Sequence, residues 1–314
     1  MKIAVLGGLG YTGTILTEHL LLEGHKVTVI DKGWFGDKIK NQKSLKKIKI
    51  DIRDINKISL KGIKKVIHLA NIANDPSVDL NQSLSWEVNA LATKLIVEKC
   101  IKDKVKHFIF ASSGSVYGLK KEKKVTEDLS LEPLSTYNKT KMIAERIIQS
   151  YKDEIKYHII RPATVCGYSP RMRLDVTVNM FVYQAIKKKY IEVHGGRQIR
   201  PNIHIKDLTN VYMHFLKNDK LKSGIYNAGF ENLSILNIAK RVSKICNCKL
   251  KIIKKFNDQR SYRQNSDKLL STGFRRLHSV DDAIYELSEK LINKTLIPDD
   301  TCFTVKYMKK KKFN

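Results

Sequence analysis

The sequence predicts an α/β fold, a doubly wound parallel sheet followed by a smaller C-terminal α/β lobe, and three observations predict it. Short β-branched runs alternate with helix-length stretches through the first half, most of those runs are near-continuously apolar, and a glycine cluster follows the first run directly. Parallel strands need crossover helices between them, and strands covered on both faces lose the polar alternation of a half-exposed sheet.

The elements follow in order. Lys2–Leu6 reads as the first strand, entering Gly7-Gly8-Leu9-Gly10-Tyr11-Thr12-Gly13, with a helix over about residues 12–23. Lys26–Ile30, Lys47–Ile50 and Lys65–Leu69 read as strands two to four, and a helix is expected over about 82–102. His107–Ala111, a helix over about 136–151 and Tyr157–Arg161 complete the alternation. Past Gly167 the pattern becomes isolated helices, at about 174–189, 206–217, 234–246 and 280–293, with short strands between.

With 314 residues and 42% hydrophobic content the chain can bury a sizeable core, which excludes a disordered protein. No apolar run is long enough to span a bilayer, and the N-terminus has no leader pattern, so the expectation is a cytoplasmic protein without a membrane partner. Five scattered cysteines suit reduced thiols; Cys246 and Cys248 lack a second ligand pair, so no metal is expected. The net charge of +28 is spread along the chain and reads as solvated surface in preference to a nucleic-acid site. The tail Lys309 to Lys312 reads as a frayed end.

The glycine cluster satisfies G-x-x-G-x-x-G through Gly7, Gly10 and Gly13. Glycines are required there for a tight turn, for close approach of a pyrophosphate and for helix packing, with Tyr11 and Thr12 opening the helix whose positive end faces the phosphates. Asp31 ends the second strand, 18 residues beyond Gly13, where a carboxylate accepts bonds from ribose hydroxyls and repels a 2′-phosphate. This is a Rossmann-type fingerprint that favours NAD over NADP. Asp51 and Ile52 follow the third strand, near the expected adenine position. The reading assigns residues 1–167 to the NAD-binding unit, with 203–228 returning to it, and 168–202 and 229–314 to a substrate lobe.

Ser112, Ser113 and Ser115 end the fifth strand, where open parallel sheets place their sites. Tyr137 and Lys141 open the following helix at i, i+4 spacing, on one face. A phenol is a poor base at neutral pH, but a neighbouring ammonium and a positive nicotinamide ring favour its ionised form.

These residues resemble the extended short-chain dehydrogenase/reductase family, specifically its NAD-dependent nucleotide-sugar epimerases and dehydratases. The resemblance rests on the glycine loop, Asp31, Asp51-Ile52-Arg53, His68-Leu69-Ala70, Ser113 before Tyr117-Gly118, Tyr137/Lys141, Arg161-Pro162 with Gly167, and Arg200 through Asp207. It implies Ser113 as hydroxyl partner, Tyr137 as base and acid, and Lys141 as the group that tunes Tyr137 and holds the nicotinamide ribose. It also implies that Leu69, Ala70 and Asn71 line the cofactor and that Asn89 helps organise the site. Dehydratases of the family carry an Asp-Glu pair directly after the hydroxyl residue; this sequence has Gly114 and Ser115 there, which disfavours dehydration.

The second lobe carries Ser169-Pro170-Arg171-Met172-Arg173-Leu174-Asp175, then Asn179, Arg200, and Arg260 with Arg263 close behind. Guanidinium groups grip diphosphates bidentately, and by resemblance Arg200 takes the nucleotide diphosphate of a sugar-nucleotide substrate, a role extended here to Arg260, while Asn179 is similar to the family's substrate-contacting asparagine. Asn74-Asp75-Pro76 departs from the residues usual in epimerases, so Asp75 either touches the sugar or starts a turn before Pro76, and Ser115 is a further candidate for substrate contact. The expectation is a homodimeric 4-epimerase of nucleotide-sugar metabolism and polysaccharide biosynthesis. A 4-keto-sugar reductase and a non-catalytic NAD-sensing or RNA-associated protein are the alternatives.

Overall fold

The computed structural model describes residues 1–253 and 261–311. Strand β1 (Lys2–Leu6) and helix α1 (Tyr11–Leu22) are followed by β2 (Lys26–Asp31), β3 (Leu45–Lys49), β4 (Lys65–His68), and short helices α2 (Asp75–Val78) and α3 (Gln82–Trp86). Then come α4 (Ala92–Lys102), β5 (His107–Ala111), α5 (Thr136–Ser150), β6 (Lys156–Pro162), β7 (Thr164–Cys166), α6 (Thr177–Lys188), β8 (Tyr190–His194) and β9 (Ile199–His204). The chain continues through α7 (Ile205–Lys217), β10 (Gly224–Ala228), β11 (Glu231–Ser234), α8 (Ile235–Cys246), β12 (Lys249–Ile253), α9 (Asp267–Leu270), α10 (Val280–Ile292) and α11 (Thr304–Lys311).

Seven strands form one sheet in the order β10-β6-β5-β4-β1-β2-β3, and every pair in it is parallel. The order reverses at β1, so the crevice beyond the carboxyl ends of β1 and β4 is where a ligand is expected to enter. Successive residues of each strand feed opposite faces. Ala4, Leu6, Val66, Phe108 and Phe110 pack under α4 and α5, while Ile3, Val5, Ile67, Ile109 and Ile160 pack under α1 and α7. Both faces are dry, and that is why these strands read as unbroken apolar runs. A third core joins α6, α8 and α10 around Val182, Ile238 and Ile284.

Three elements differ from the sequence reading. The third strand begins two residues earlier, at Leu45. The helix expected over 82–102 is interrupted by a π-turn at Glu87–Leu91, which turns Asn89 inward to bond a neighbouring loop. In the lysine tail Lys309 to Lys311 are not frayed: Thr304–Lys311 is helical, because Thr304 and Met308, one turn apart, are both buried, and Lys312 lies outside the described residues. Among the described residues no helix is long and apolar enough to cross a membrane.

Candidate functional site

The glycine loop is built by close packing. Gly7 has φ +79°, and a side-chain carbon there would lie 2.5 Å from the Ala70 nitrogen; one at Gly13 would strike the Gly7 carbonyl. Helix α1 therefore starts tight against the strand ends, and it opens on Gly10 without a side-chain cap. Asp31 is lodged beside the loop by bonds from the Leu9 N–H (3.0 Å) and the Gly33 N–H (2.7 Å). Burial raises its carboxyl pKa, and the two N–H groups work against that rise. Lys32 turns away to an ion pair with Asp51 at 3.0 Å and lies over the Trp34 ring. An uncapped helix start behind a turn with no room for side chains, and a strand-end carboxylate with unused lone pairs, fit a dinucleotide with free ribose hydroxyls.

A cleft of about 610 Å³ opens above this loop. Gly7, Gly10, Tyr11, Thr12 and Gly13 line one end, Leu69 and Asn71 the floor, and Ser113, Ser115, Tyr137 and Lys141 the middle, with Asp75 and Arg200 at its sides. Ser113 Oγ lies 2.7 Å from Ser115 Oγ, and Ser115 donates to Asn138 Oδ1 at 2.5 Å. Because Ser115 spends its proton on Asn138, Ser113 is the donor to Ser115, and Ser113 is also the hydrogen-bond partner of the Tyr137 phenol. Burial pushes the Tyr137 phenol up to about 12, opposed by the Ser113 bond. Lys141 donates to the Ala111 carbonyl at 2.6 Å and sits over the Phe110 ring; burial brings it down to about 7. From its i, i+4 spacing, the lysine is expected to make the phenol more acidic. In this arrangement burial of the phenol outweighs that effect, and the charges felt at Tyr137 are those of Asp75 and Arg173.

Beneath the hydroxyls lies a buried ion pair. Arg161 donates to both oxygens of Glu145, at 3.0 and 2.6 Å, and to the Tyr117 hydroxyl at 2.7 Å, while Ser112 donates to Glu145 from the other side. Ser112 is thus committed to the scaffold, which leaves Ser113 as the serine facing Tyr137.

Several predicted residues are not on the cleft wall. Asn179 is fully buried; it accepts from Gly167 N–H at 3.0 Å and donates to the Tyr11 hydroxyl at 3.0 Å and the Arg173 carbonyl at 2.9 Å. With these bonds spent on protein and no place in the cleft lining, it rivets the glycine loop to the segment bearing Arg173. Asn89 is likewise spent on the Ile72 backbone and Thr140, so it positions the loop after β4 and the helix bearing Tyr137. Asp51 is taken by Arg53 and Lys32, whose bonds hold its carboxyl down at about 2, and Ile52 is buried in the core. Ala70 underlies Gly7 instead of facing the cleft. Arg260 lies outside the described residues.

Sequence reasoning did not single out Arg171 and Arg173. Both line the cleft, at 3% and 9% exposure, and Arg171 Nε and one terminal nitrogen of Arg173 have no partner among the described residues. Arg173 bonds Asp175 at 2.9 Å; Arg171 lies 3.9 Å over the Phe35 ring and donates to Thr304 at 3.1 Å. The alternation Arg-Met-Arg, with Met172 buried between them, was the available signal.

Residues 3–229 match the NAD dependent epimerase/dehydratase family. An uncharacterised UDP-glucose epimerase of Bacillus subtilis is 31% identical over 260 residues, covering 78% of this chain and 82% of that protein. The UDP-glucose 4-epimerase of Lactobacillus helveticus is 28% identical over 275 residues, with the same two coverages of 78% and 82%. Among solved structures, the UDP-glucuronic acid 4-epimerase from Bacillus cereus in complex with UDP-glucuronic acid and NAD is 25% identical. It superposes with a TM-score of 0.81 over 94% of this chain and 100% of that one.

Proposed function

The chain belongs to the NAD-dependent epimerase/dehydratase family of enzymes, with NAD as cofactor, and from that premise we propose that it is a nucleotide-sugar 4-epimerase working through a transient 4-keto sugar. One observation carries the reading. Ser113, Tyr137 and Lys141 converge in the cleft that begins at the glycine loop, while Gly114 and Ser115 stand where a dehydratase needs two carboxylic acids. A side chain at position 114 would also crowd Gln264, at 2.9 Å.

In this reading Gly10 to Gly13 and the start of α1 hold the cofactor diphosphate, Asp31 takes the adenosine ribose hydroxyls, and Leu69 and Asn71 flank the nicotinamide half. Bound NAD supplies a reversible hydride acceptor. Tyr137 removes the proton from the sugar 4-hydroxyl and later returns it. Ser113 holds that oxygen, releasing its bond to Ser115 to do so. Lys141, fixed by the Ala111 carbonyl, keeps its remaining N–H groups for ribose hydroxyls and supplies positive charge when the phenol ionises. Arg200 takes the nucleotide diphosphate and Asp75 a sugar hydroxyl. The names of the relatives favour UDP-linked hexoses and hexuronates as the first substrates to try. We extend the reading to a homodimer through α4 and α5, checked by sedimentation against the chain mass of 36.1 kDa.

The test is incubation of the protein as purified with a panel of UDP-, GDP-, CDP- and dTDP-sugars, without added NADH. Interconversion of C4 epimers with no change in nicotinamide absorbance is the expected result. Stoichiometric consumption of NAD(P)H on a 4-keto-6-deoxy sugar nucleotide, with no stereocentre inverted, overturns it in favour of the reductase.

A further inference from the structure

The C-terminal helix crosses the dinucleotide end of the cleft. It is anchored on the second lobe: the Leu174 N–H donates to the Cys302 carbonyl at 2.8 Å, and Phe303 packs on Tyr183 with ring centres 5.3 Å apart. From there α11 reaches back to the first lobe. Met308 is buried in the core that contains Ile72 and Val78, and Tyr307 lies against Phe35 at 5.7 Å. Thr304 and Met308 both face the cleft, and Arg171 is clasped between Thr304 and the Phe35 ring. Phe35 sits four residues past Asp31, on the loop that leaves the ribose-binding strand.

An eight-residue helix has little stability of its own, since nucleation costs more than so few hydrogen bonds return. Its place depends on docking through Thr304, Tyr307 and Met308, and elements held by few contacts open at small free-energy cost. The outward side carries Lys306, Lys309 and Lys310, all exposed, so undocking breaks chiefly the contacts of Thr304, Tyr307 and Met308 with Arg171, Phe35 and the core around Ile72 and Val78.

We propose that α11 is a strap that closes the dinucleotide end of the cleft and sets how slowly NAD leaves. The inference rests on the epimerase reading, in which each cycle regenerates NAD and cofactor exchange serves no purpose. A reductase would need an exit at this place.

The experiment loads the full-length protein with radiolabelled NAD, chases with excess unlabelled NAD, and follows loss of label by rapid gel filtration. Ending the chain after Phe303 is expected to speed release at least tenfold, and Met308→Asp in the full-length chain to do so severalfold. An unchanged release rate in a truncated protein that keeps its circular dichroism and cooperative melting overturns the strap. Should truncation prevent folding, Met308→Asp and Tyr307→Ala decide the matter in the same assay. A wild type that retains NAD and interconverts sugars, with truncation neutral, sinks the strap alone. A wild type that neither keeps NAD nor turns over sinks the functional reading as well.

Discussion

The two walls of the cleft are built on opposite plans. On the sheet wall the charged and hydroxyl groups are already spent, Ser113 on Ser115, Ser115 on Asn138, Lys141 on Ala111, and Arg161 on Glu145 and Tyr117, and the buried atoms left over are neutral amides such as Asn71 Oδ1 and Asn138 Nδ2. On the opposite wall, Arg171 and Arg173 are also buried but each keeps a guanidinium nitrogen without a partner among the described residues, as does Asp175 with one oxygen. Buried polar groups that go unpaired cost stability, so a fold tolerates them chiefly where a ligand will supply the missing bonds. The first wall is preorganised by the protein for chemistry; the second is organised for something anionic that arrives.

The largest effect is expected at the centre of the preorganised wall. Tyr137→Phe removes one oxygen from the hydroxyl chain and leaves the ring in place, so turnover should fall by about 10²–10⁴-fold, the usual contribution of a positioned acid–base group. NAD binding, followed by fluorescence titration, should be retained. A variant that keeps more than a tenth of wild-type turnover would move the proton-transfer role elsewhere on that wall.

Next comes the buried pair that carries the wall. Arg161→Met strands Glu145 and Tyr117, and breaking a buried pair from one side costs about 3–5 kcal/mol. Urea denaturation should register that loss, and the double variant Arg161→Met/Glu145→Leu should recover much of it. Equal instability in single and double variants would mean that packing, not charge, is what matters there.

Arg173→Met tests the other plan. It also leaves Asp175 without its 2.9 Å partner, so urea denaturation should show a loss of stability, but a smaller one than at Arg161, whose two-bond pair with Glu145 is sealed more completely from water. Affinity for the anionic ligand should fall about tenfold to a hundredfold, the size of one or two charge-assisted hydrogen bonds. Calorimetry with NAD and with a UDP-sugar separately identifies which anion the arginine serves. Loss of stability without loss of affinity would erase the distinction between the walls.

How much of this was legible in the sequence follows the same division. Gly7, Gly10, Gly13 and Asp31 are constrained by backbone geometry within one strand–turn–helix unit, and Tyr137 and Lys141 by a single helical turn, so local spacing reveals them. The sheet was legible because strands covered on both faces are apolar without interruption. Asn89 and Asn179 were read as site residues because an asparagine on a helix carries no mark of what its amide will meet. Only the folded chain shows Asn179 bonded to Tyr11, 168 positions away. The arginines of the second wall come from a loop whose direction is set by packing of Met172 and Leu174, and the strap is assembled from Thr304, Phe35 and Arg171, far apart in sequence. The lysines of the tail concealed the two buried positions between them.

The smallest effect concerns pH. Burial brings the Lys141 ammonium from its ordinary value near 10.5 down to about 7 in the folded protein. Between those two values the unfolded chain binds more protons than the folded one, so the stability contributed at this position rises as pH climbs from about 7 towards 10.5. Below pH 7 both states carry the charge and the folded state bears the full cost of burying it. Lys141→Met removes the titration. The gap in melting temperature between variant and wild type should therefore favour the variant most near pH 6.5 and shift by several degrees towards the wild type by pH 9.5. Tyr137, raised by burial, adds nothing in that window because its folded and unfolded forms are both protonated below about 10. A gap that stays constant with pH would mean that Lys141 keeps its proton in the fold, paired more strongly than the Ala111 carbonyl alone allows. The sheet wall would then hold a standing charge, as the arginine wall does.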